Sequence, residues 1–585
     1  MAPTSAPPGG AGIGQGAARL AIVGVAALAF AAYANSLGNG FVWDDPIILN
    51  RQLVAFDSLS DVLFTPRGIP QYSPDYYRPL IIVSFLLDRA LGGAQPLMFH
   101  LSVVLMHVAA AALVCGFGLQ LLDRGKGAVA GAITAGALFA THPIHTESVA
   151  WIAGRSDVLA TALLLAALVV HGRGPASWSR SAATGGCVLA ALGAKENAIA
   201  VLPLLLLYDV LASGERRTRS ADARVWLRRY AGPIAATAIY LLLRRAALGD
   251  FIGHAAGTAT VRRSLRDLVG AIGAYGLKLA WPVGLNAYID TVPTGAGFLA
   301  LTVVAVAGGI GACVWWWRHA ERVPAFLVLW VGLTLGPSLP VVWRIPDAPM
   351  AERYLYLPSV GFCLLAGYGV KQLLQARRAS VPAGIVMTGA ALMVIAATIG
   401  TIRRNRIWHD DVSLWEDTAE KSQTAGLPIR SLGTAYQQRG RVDDARRCFE
   451  LALQRRNSPS GVQIAYNNLG TLAMQEKDYA RATAYYQRAL DANPNAADTL
   501  FNLGLAMLQA GGASSDAAND ALRFLQRAQE LSPHDPDIEA ALGQVYAIKG
   551  ERERAVEHLK RALQLGASPA TAASIQAYLA GLERK

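Results

Sequence analysis

The sequence predicts an all-α chain in two parts. A polytopic membrane helix bundle of about eleven spans covers residues 1–402, and an α-solenoid covers 431–585 after a connector helix region at 403–430. Three observations carry this prediction. The 585 residues are 53% hydrophobic and only 16% charged, whereas soluble chains carry about 25% charged residues. The apolar residues gather into long runs that stop near residue 402, and beyond it a period of 34 to 39 residues takes over.

A spanning helix needs about 20 apolar residues, rising 1.5 Å each, to cross about 30 Å of hydrocarbon. The runs that meet or approach this are 18–35, 97–122, 127–141, 156–171, 181–194, 197–212, 230–247, 298–317, 323–343, 356–374 and 382–402. The first has an A-x-A-like Ala32-Tyr33-Ala34, but only Arg19 charges its N-terminal flank, so it reads as a span and not a cleaved signal. Residues 79–91 are interrupted by Asp88-Arg89 before they could cross. Residues 263–285 carry Arg266, Asp267 and Lys278 and read as a helix lying in the interface.

The net charge is +12, from 53 Lys+Arg and 41 Asp+Glu. Residues 403–585 hold 23 basic and 22 acidic groups, which leaves 30 and 19 in the apolar half. The excess therefore belongs beside the membrane, where it sets orientation, and argues against a nucleic-acid partner. With eleven crossings and the N-terminus inside, the cytoplasmic side receives Arg124/Lys126, Arg173/Arg180, the Arg216–Arg229 cluster, Arg318/Arg322 and Lys371/Arg377/Arg378. The external side receives 36–78, 142–155, 248–297, 344–355 and everything after 402.

In the second half, Ala445/Phe449/Ala452 recurs as Ala482/Tyr486/Ala489, Ala521/Leu525/Ala528 and Ala555/Leu559/Ala562, at intervals of 37, 39 and 34 residues. A Leu-Gly pair precedes each set, at 432–433, 469–470, 503–504 and 542–543. Small residues at i and i+7 around a large apolar one let two helices pack closely, and Pro494 and Pro533 follow second helices. This is the tetratricopeptide pattern of helix–turn–helix units, with 516–520 reading as an insertion in the third. The cysteines, Cys115, Cys187, Cys313, Cys363 and Cys448, form no CxxC pair and read as core residues.

Polar motifs gather on the side assigned as external: Trp43-Asp44-Asp45, Tyr76-Tyr77-Arg78, His142-Pro143-Ile144-His145-Thr146-Glu147, Arg155-Ser156-Asp157, Lys195-Glu196-Asn197 and Glu352-Arg353-Tyr354. Ionisable groups beside a membrane are costly to desolvate, so such clusters mark function by default. His142 and His145 with Glu147 invite a metal reading, but Pro143 breaks the helix on which a His pair would sit. His100 and His107 read as buried hydrogen-bonding groups. No P-loop or strand-linked GxGxxG is present, so no soluble nucleotide cofactor is implied. Two carboxylates, Asp44 and Asp45, at the start of a large external loop suit an enzyme acting on a lipid-phosphate-linked donor. Arg78, Arg155, Lys195 and Arg353 are candidate contacts to the phosphate. One of the two aspartates would take the proton from an acceptor hydroxyl, and with the phosphate charge stabilised by cations no metal or other cofactor is demanded. His142, His145, Glu147, Asp157, Glu196, Glu352 and Tyr354 complete the candidate site.

The segments FVWDDPIILN, YYRPL, HPIHTESVAWIAGRSDVLAT, KENAI…LLYD and ERYLYLPSVG, in this order and followed by repeats, resemble the transmembrane and tetratricopeptide-repeat containing protein O-mannosyltransferases. The resemblance spans nearly the whole chain. It implies a C-type glycosyltransferase membrane fold with long external loops after the first and seventh spans, where 36–96 and 248–297 fall. It also implies a polyprenyl-phosphate sugar, typically mannose, transferred with inversion to Ser/Thr hydroxyls of proteins, with Asp44/Asp45 matching the acidic motif that supplies the base. The partners expected are membrane lipid, the lipid-linked sugar and a protein acceptor or partner on the repeats. The Ala/Gly-rich composition and the absence of an ER-retention ending point to a bacterial inner membrane with the repeats on the periplasmic side. The competing readings are a membrane-anchored repeat scaffold without catalysis, which leaves the one-sided polar motifs unexplained, and a lipid-linked sugar transporter, which should bury more ionisable groups within its spans.

Overall fold

The computed structural model describes residues 15–49, 59–64, 76–122, 126–212, 223–249, 265–345, 347–376, 381–512 and 514–583. Among them are helices, turns and two isolated β-bridges, and no strand. The topology charges Arg124, Arg216, Arg377 and Arg378, and parts of both long loops, lie outside the described residues. The chain divides into two compact units, 1–417 and 418–585.

In the first unit every expected span is helical. Among the described residues, eight helices are long and apolar enough to cross a membrane, or up to nine if the bent pair Gly127–Thr141 and Pro143–Val149 is one span. The bend of 45° has a plain cause, because Pro143 cannot continue the preceding helix. The remaining two expected spans are shorter elements. Trp178–Ala194 has 17 residues, and 196–212 is broken into 3-10, α and π turns. The chain is thus a multi-pass membrane protein. The residues read as an interfacial helix form Leu265–Ala280, and those judged too short to cross form Pro79–Gly92, with Pro79 at its first turn.

The inner helices pack through small residues. Lys126–Thr141 lies against Tyr356–Gln375 so closely that a Cβ on Gly131 would stand 2.4 Å from the Gly367 carbonyl oxygen, the close backbone approach that glycine permits between membrane helices. Outer helices carry their apolar side chains outward: Leu301, Val304 and Ile310 on Ala296–Arg318, and Ile385 and Leu392 on Ala383–Asn405, are 60–67% exposed. In water such a surface would be unfavourable; in lipid it is solvated.

The second unit is a row of helix pairs: Gly426–Gln438 with Val442–Gln454, Pro459–Gln475 with Tyr479–Ala492, Ala497–Gly511 with Ser515–Leu531, and Pro536–Ile548 with Arg552–Gln564, followed by Pro569–Glu583. All twelve residues of the Ala/large/Ala sets are buried. The glycine of each Leu-Gly pair receives the large residue of its partner helix. A Cβ at Gly433, Gly470, Gly504 or Gly543 would meet Phe449, Tyr486, Leu525 or Leu559 at 2.5–2.8 Å. The 516–520 insertion lengthens a second helix at its N-terminal end to 17 residues, against 13 or 14 in the other three.

Candidate functional site

The predicted site residues belong to the first unit, and most of them come together. Trp43 ends the segment after the first span with φ of 57°, a left-handed conformation that costs a non-glycine residue about 1–2 kcal/mol. Its indole stacks on Trp151 at 4.9 Å between centroids and 16° between planes. Trp151 stacks in turn on Trp408 at 6.0 Å, and Trp415 meets the edge of Trp43 at 5.1 Å. The Arg353 guanidinium lies 5.6 Å from the Trp151 ring and 5.1 Å from Tyr354, and Lys195 Nζ lies 5.5 Å from Tyr354. A continuous path of rings thus connects the aspartates to two of the predicted cations.

The two aspartates differ. Asp45 is 1% exposed, and its carboxyl oxygens accept from the Val42 and Ala153 amides at 3.1 and 3.0 Å. Burial pushes its pKa up to about 8, against the pull of the two amides, with Asp44 adding to the rise and Arg155 opposing it. Asp44 is only partly buried. It begins the short turn Asp45–Ile47, where its backbone carbonyl accepts from the Ile47 and Ile48 amides at 3.1 Å.

Each cation is held by a carboxylate. Arg78 gives Nε and Nη2 to Glu196, the closest contact 2.8 Å, and lies 4.2 Å from the Tyr76 ring. Glu196 also lies 3.9 Å from Arg244. Burial opposes ionisation of Glu196, yet the Arg78 guanidinium holds its pKa below the usual carboxylate range. Lys195 donates to Asp157 at 2.5 Å. Burial lowers the Lys195 pKa, Asp157 counters this, and Arg78 and Arg353 lower it further, so the three cations share one electrostatic neighbourhood. Arg353 pairs with Glu147, which also accepts from the Arg353 amide at 2.9 Å. Arg78 and Arg353 keep side chains about a quarter exposed.

The remaining candidates are held by partners within the fold. Arg155, a candidate phosphate contact, has a fully buried side chain that donates to Asp88 at 2.6 Å, to Ser84, and to the Phe99 and Ile152 carbonyls, with Phe85 4.0 Å from the guanidinium. Glu352 is likewise committed, accepting from Lys278 at 2.9 Å and from the Asn286 amide at 2.7 Å. His142 donates from Nε2 to the Leu279 carbonyl while its Nδ1 accepts from the Ile144 amide. His145 contacts Ser359 at 2.7 Å, and His107, buried as expected, contacts Tyr356 at 2.7 Å. Sequence reasoning missed Asp88, Trp151, Trp408, Asp411 and Trp415. The last three had a signal: a second Asp-Asp pair, 410–411, lies between two tryptophans just after the final apolar run.

Fold and site define a multi-pass membrane protein with a helical repeat array and a cation-rich polar site at the ends of its helices. The tetratricopeptide repeat model matches residues 430–497 and 467–523. Over most of its length the chain resembles the transmembrane and tetratricopeptide-repeat containing protein O-mannosyltransferases. It is 28% identical to the protein O-mannosyl-transferase Tmtc1 of Drosophila melanogaster over 74% of this chain and 61% of that protein. It is 23% identical to TMTC2 of Mus musculus over 73% and 61%. A stretch covering 32% of this chain and 23% of the relative is 34% identical to TMTC2 of Homo sapiens. The chain spans about three fifths of the length of Tmtc1 and of mouse TMTC2.

Proposed function

We propose that this protein is an integral-membrane glycosyltransferase that moves a sugar, mannose by the names of its relatives, from a polyprenyl phosphate to Ser/Thr hydroxyls of proteins. The observation that carries the reading is the path of rings, through Trp151 and Tyr354, from Trp43 beside the partly exposed Asp44 to Arg353 and Lys195. Asp44 takes the proton of the acceptor hydroxyl. The hydroxyl oxygen attacks the sugar C1, and the bond from C1 to the phosphate oxygen breaks. Arg78, Arg353 and Lys195 hold the charge left on the departing polyprenyl phosphate, so the reaction asks for no metal. A single displacement inverts C1. Asp45, buried and held by two amides, fixes the loop and is not the base.

An apolar groove lined by Ile199, Leu202, Pro203, Leu333 and Pro337 supports a lipid donor. At one end Asn197 donates to Ser338 at 2.9 Å, two residues from Lys195. The acceptor hydroxyl comes from the external face, on which the eleven crossings expected from the sequence also put the repeats, to bind acceptor or partner. In this reading the membrane is a bacterial inner membrane and the external face is periplasmic. Replacing Asp44 with Asn tests the chemistry: transfer from labelled polyprenyl-phosphate mannose to a Ser/Thr peptide should fall by about 10²–10⁴-fold, with donor KM little changed. Undiminished transfer refutes the base assignment.

A further inference from the structure

The segment after the last span is clamped onto the aspartate loop by contacts that the proposed chemistry does not use. The Trp43 amide donates to Asp411 Oδ1 at 2.8 Å. One residue earlier, Asp410 caps the helix Asp411–Lys421 by accepting from the Ser413 amide at 2.9 Å. With the cap supplied by its neighbour, Asp411 can reach across to Trp43. Around this bond the loop is held at several further points. The Gly40 amide donates to the His409 carbonyl at 2.9 Å. Asn405 donates to the Ala32 carbonyl at 3.0 Å and to Asn35 at 2.8 Å. Trp151 and Trp415, the latter 3% exposed, pack against the Trp43 ring, and the fully buried Trp408 stacks on Trp151.

Trp43 needs such support. A bulky residue with φ of 57° persists only where its surroundings over-determine it. Asp44 follows it directly, so the direction in which the Asp44 carboxylate leaves the loop depends on the Trp43 dihedral. We infer that Asp411 is a positioning residue for the Asp44 carboxylate, holding Trp43 in its left-handed conformation from the segment that leads into the repeat unit. The inference rests on the reading of Asp44 as the base. It goes beyond that reading by making residues 405–417 part of the site, although they lie outside every motif that carries the family resemblance.

The proposed role is that of a hydrogen-bond acceptor for the Trp43 amide, which gives the test its form. Full-length Asp411→Ala and Asp411→Asn variants in lipid nanodiscs are compared with the unaltered chain by sugar-transfer kinetics, melting temperature and amide hydrogen exchange. In Asp411→Ala, kcat should fall roughly ten- to a hundredfold through misplacement of the base, with donor KM within twofold. Exchange should accelerate in residues 40–48 with the melting temperature nearly unchanged. In Asp411→Asn, which keeps the acceptor oxygen, both readouts should return to within about threefold of the unaltered chain. Unchanged exchange in 40–48 in Asp411→Ala overturns the inference. So does a loss as large in Asp411→Asn as in Asp411→Ala, or a general loss of protection throughout the membrane half. If the unaltered chain shows no transfer, the enzyme reading fails instead, and the exchange comparison still decides the clamp.

Discussion

Arg155 offers the sharpest division between a residue that holds the fold and one that binds substrate. Its guanidinium is enclosed, with Asp88 at 2.6 Å and the Phe99 carbonyl at 3.2 Å. Changing Arg155 to Met keeps most of the volume but strands Asp88, 4% exposed, with Ser102 Oγ still donating to it at 2.7 Å. Removing one partner of a buried ion pair costs about 3–5 kcal/mol, because the other charge is left uncompensated. The Phe99 and Ile152 carbonyls keep other donors, Ser102 Oγ and the Arg155 amide, so the cost comes from the stranded carboxylate. Replacing both partners with apolar residues of similar volume is often neutral, so Asp88→Leu with Arg155→Met should recover most of the loss. The assay is denaturant or thermal unfolding of the purified chain in detergent, followed by donor binding to the double variant. A single variant as stable as the parent refutes this reasoning. A stable double variant that no longer binds donor refutes it too, and returns Arg155 to the phosphate site.

Two other perturbations have defined signs. The Asp45 pKa is raised by burial from 3.8 to about 8, so the folded chain holds a proton there that the unfolded chain gives up. The stability this contributes is fully present below about pH 4 and is lost as pH rises through about 8; Asp45→Asn should flatten the fall in melting temperature over that window, and an unaltered slope would contradict the shift. Gly470→Ala places a Cβ 2.5 Å from Tyr486 Cε1; overpacking of this kind costs about 1–3 kcal/mol, and hydrogen exchange of the full chain should show Pro459–Gln475 and Tyr479–Ala492 losing protection while the membrane helices keep theirs.

What the sequence made legible follows from how local each signal is. The repeats were readable because their contacts recur at fixed short spacing: the Gly470–Tyr486 contact is repeated by Gly433–Phe449, Gly504–Leu525 and Gly543–Leu559. The membrane helices were readable as apolar runs, but lengths were not. Residues 181–194 and 197–212 flank the polar Lys195-Glu196-Asn197, whose side chains are turned to partners far along the chain. The charged candidates were readable one by one and not as the pairs they form. Asp88, which only interrupted an apolar run, turned out to be the partner that draws Arg155 into the core from 67 positions away. Lys278, read as a mark of the interface, holds Glu352 from 74 positions away. Asp411 was marked only by its place in an Asp-Asp pair between two tryptophans, which does not give its partner, Trp43, 368 positions back.

The seam between the two compact units, after Asp417, falls inside the helix Asp411–Lys421 and not at residue 402, where the hydrophobicity ends. This bears on how deletions are to be interpreted. A truncation at 402, the boundary that a hydropathy profile invites, removes Trp408, Asp411 and Trp415 along with every repeat. Activity lost in that protein would be credited to missing acceptor recognition, although the aspartate loop would have lost its support at the same stroke. A chain ended after Lys421 keeps the whole helix, and only that pair of deletions separates what the repeats recognise from what their stem holds in place.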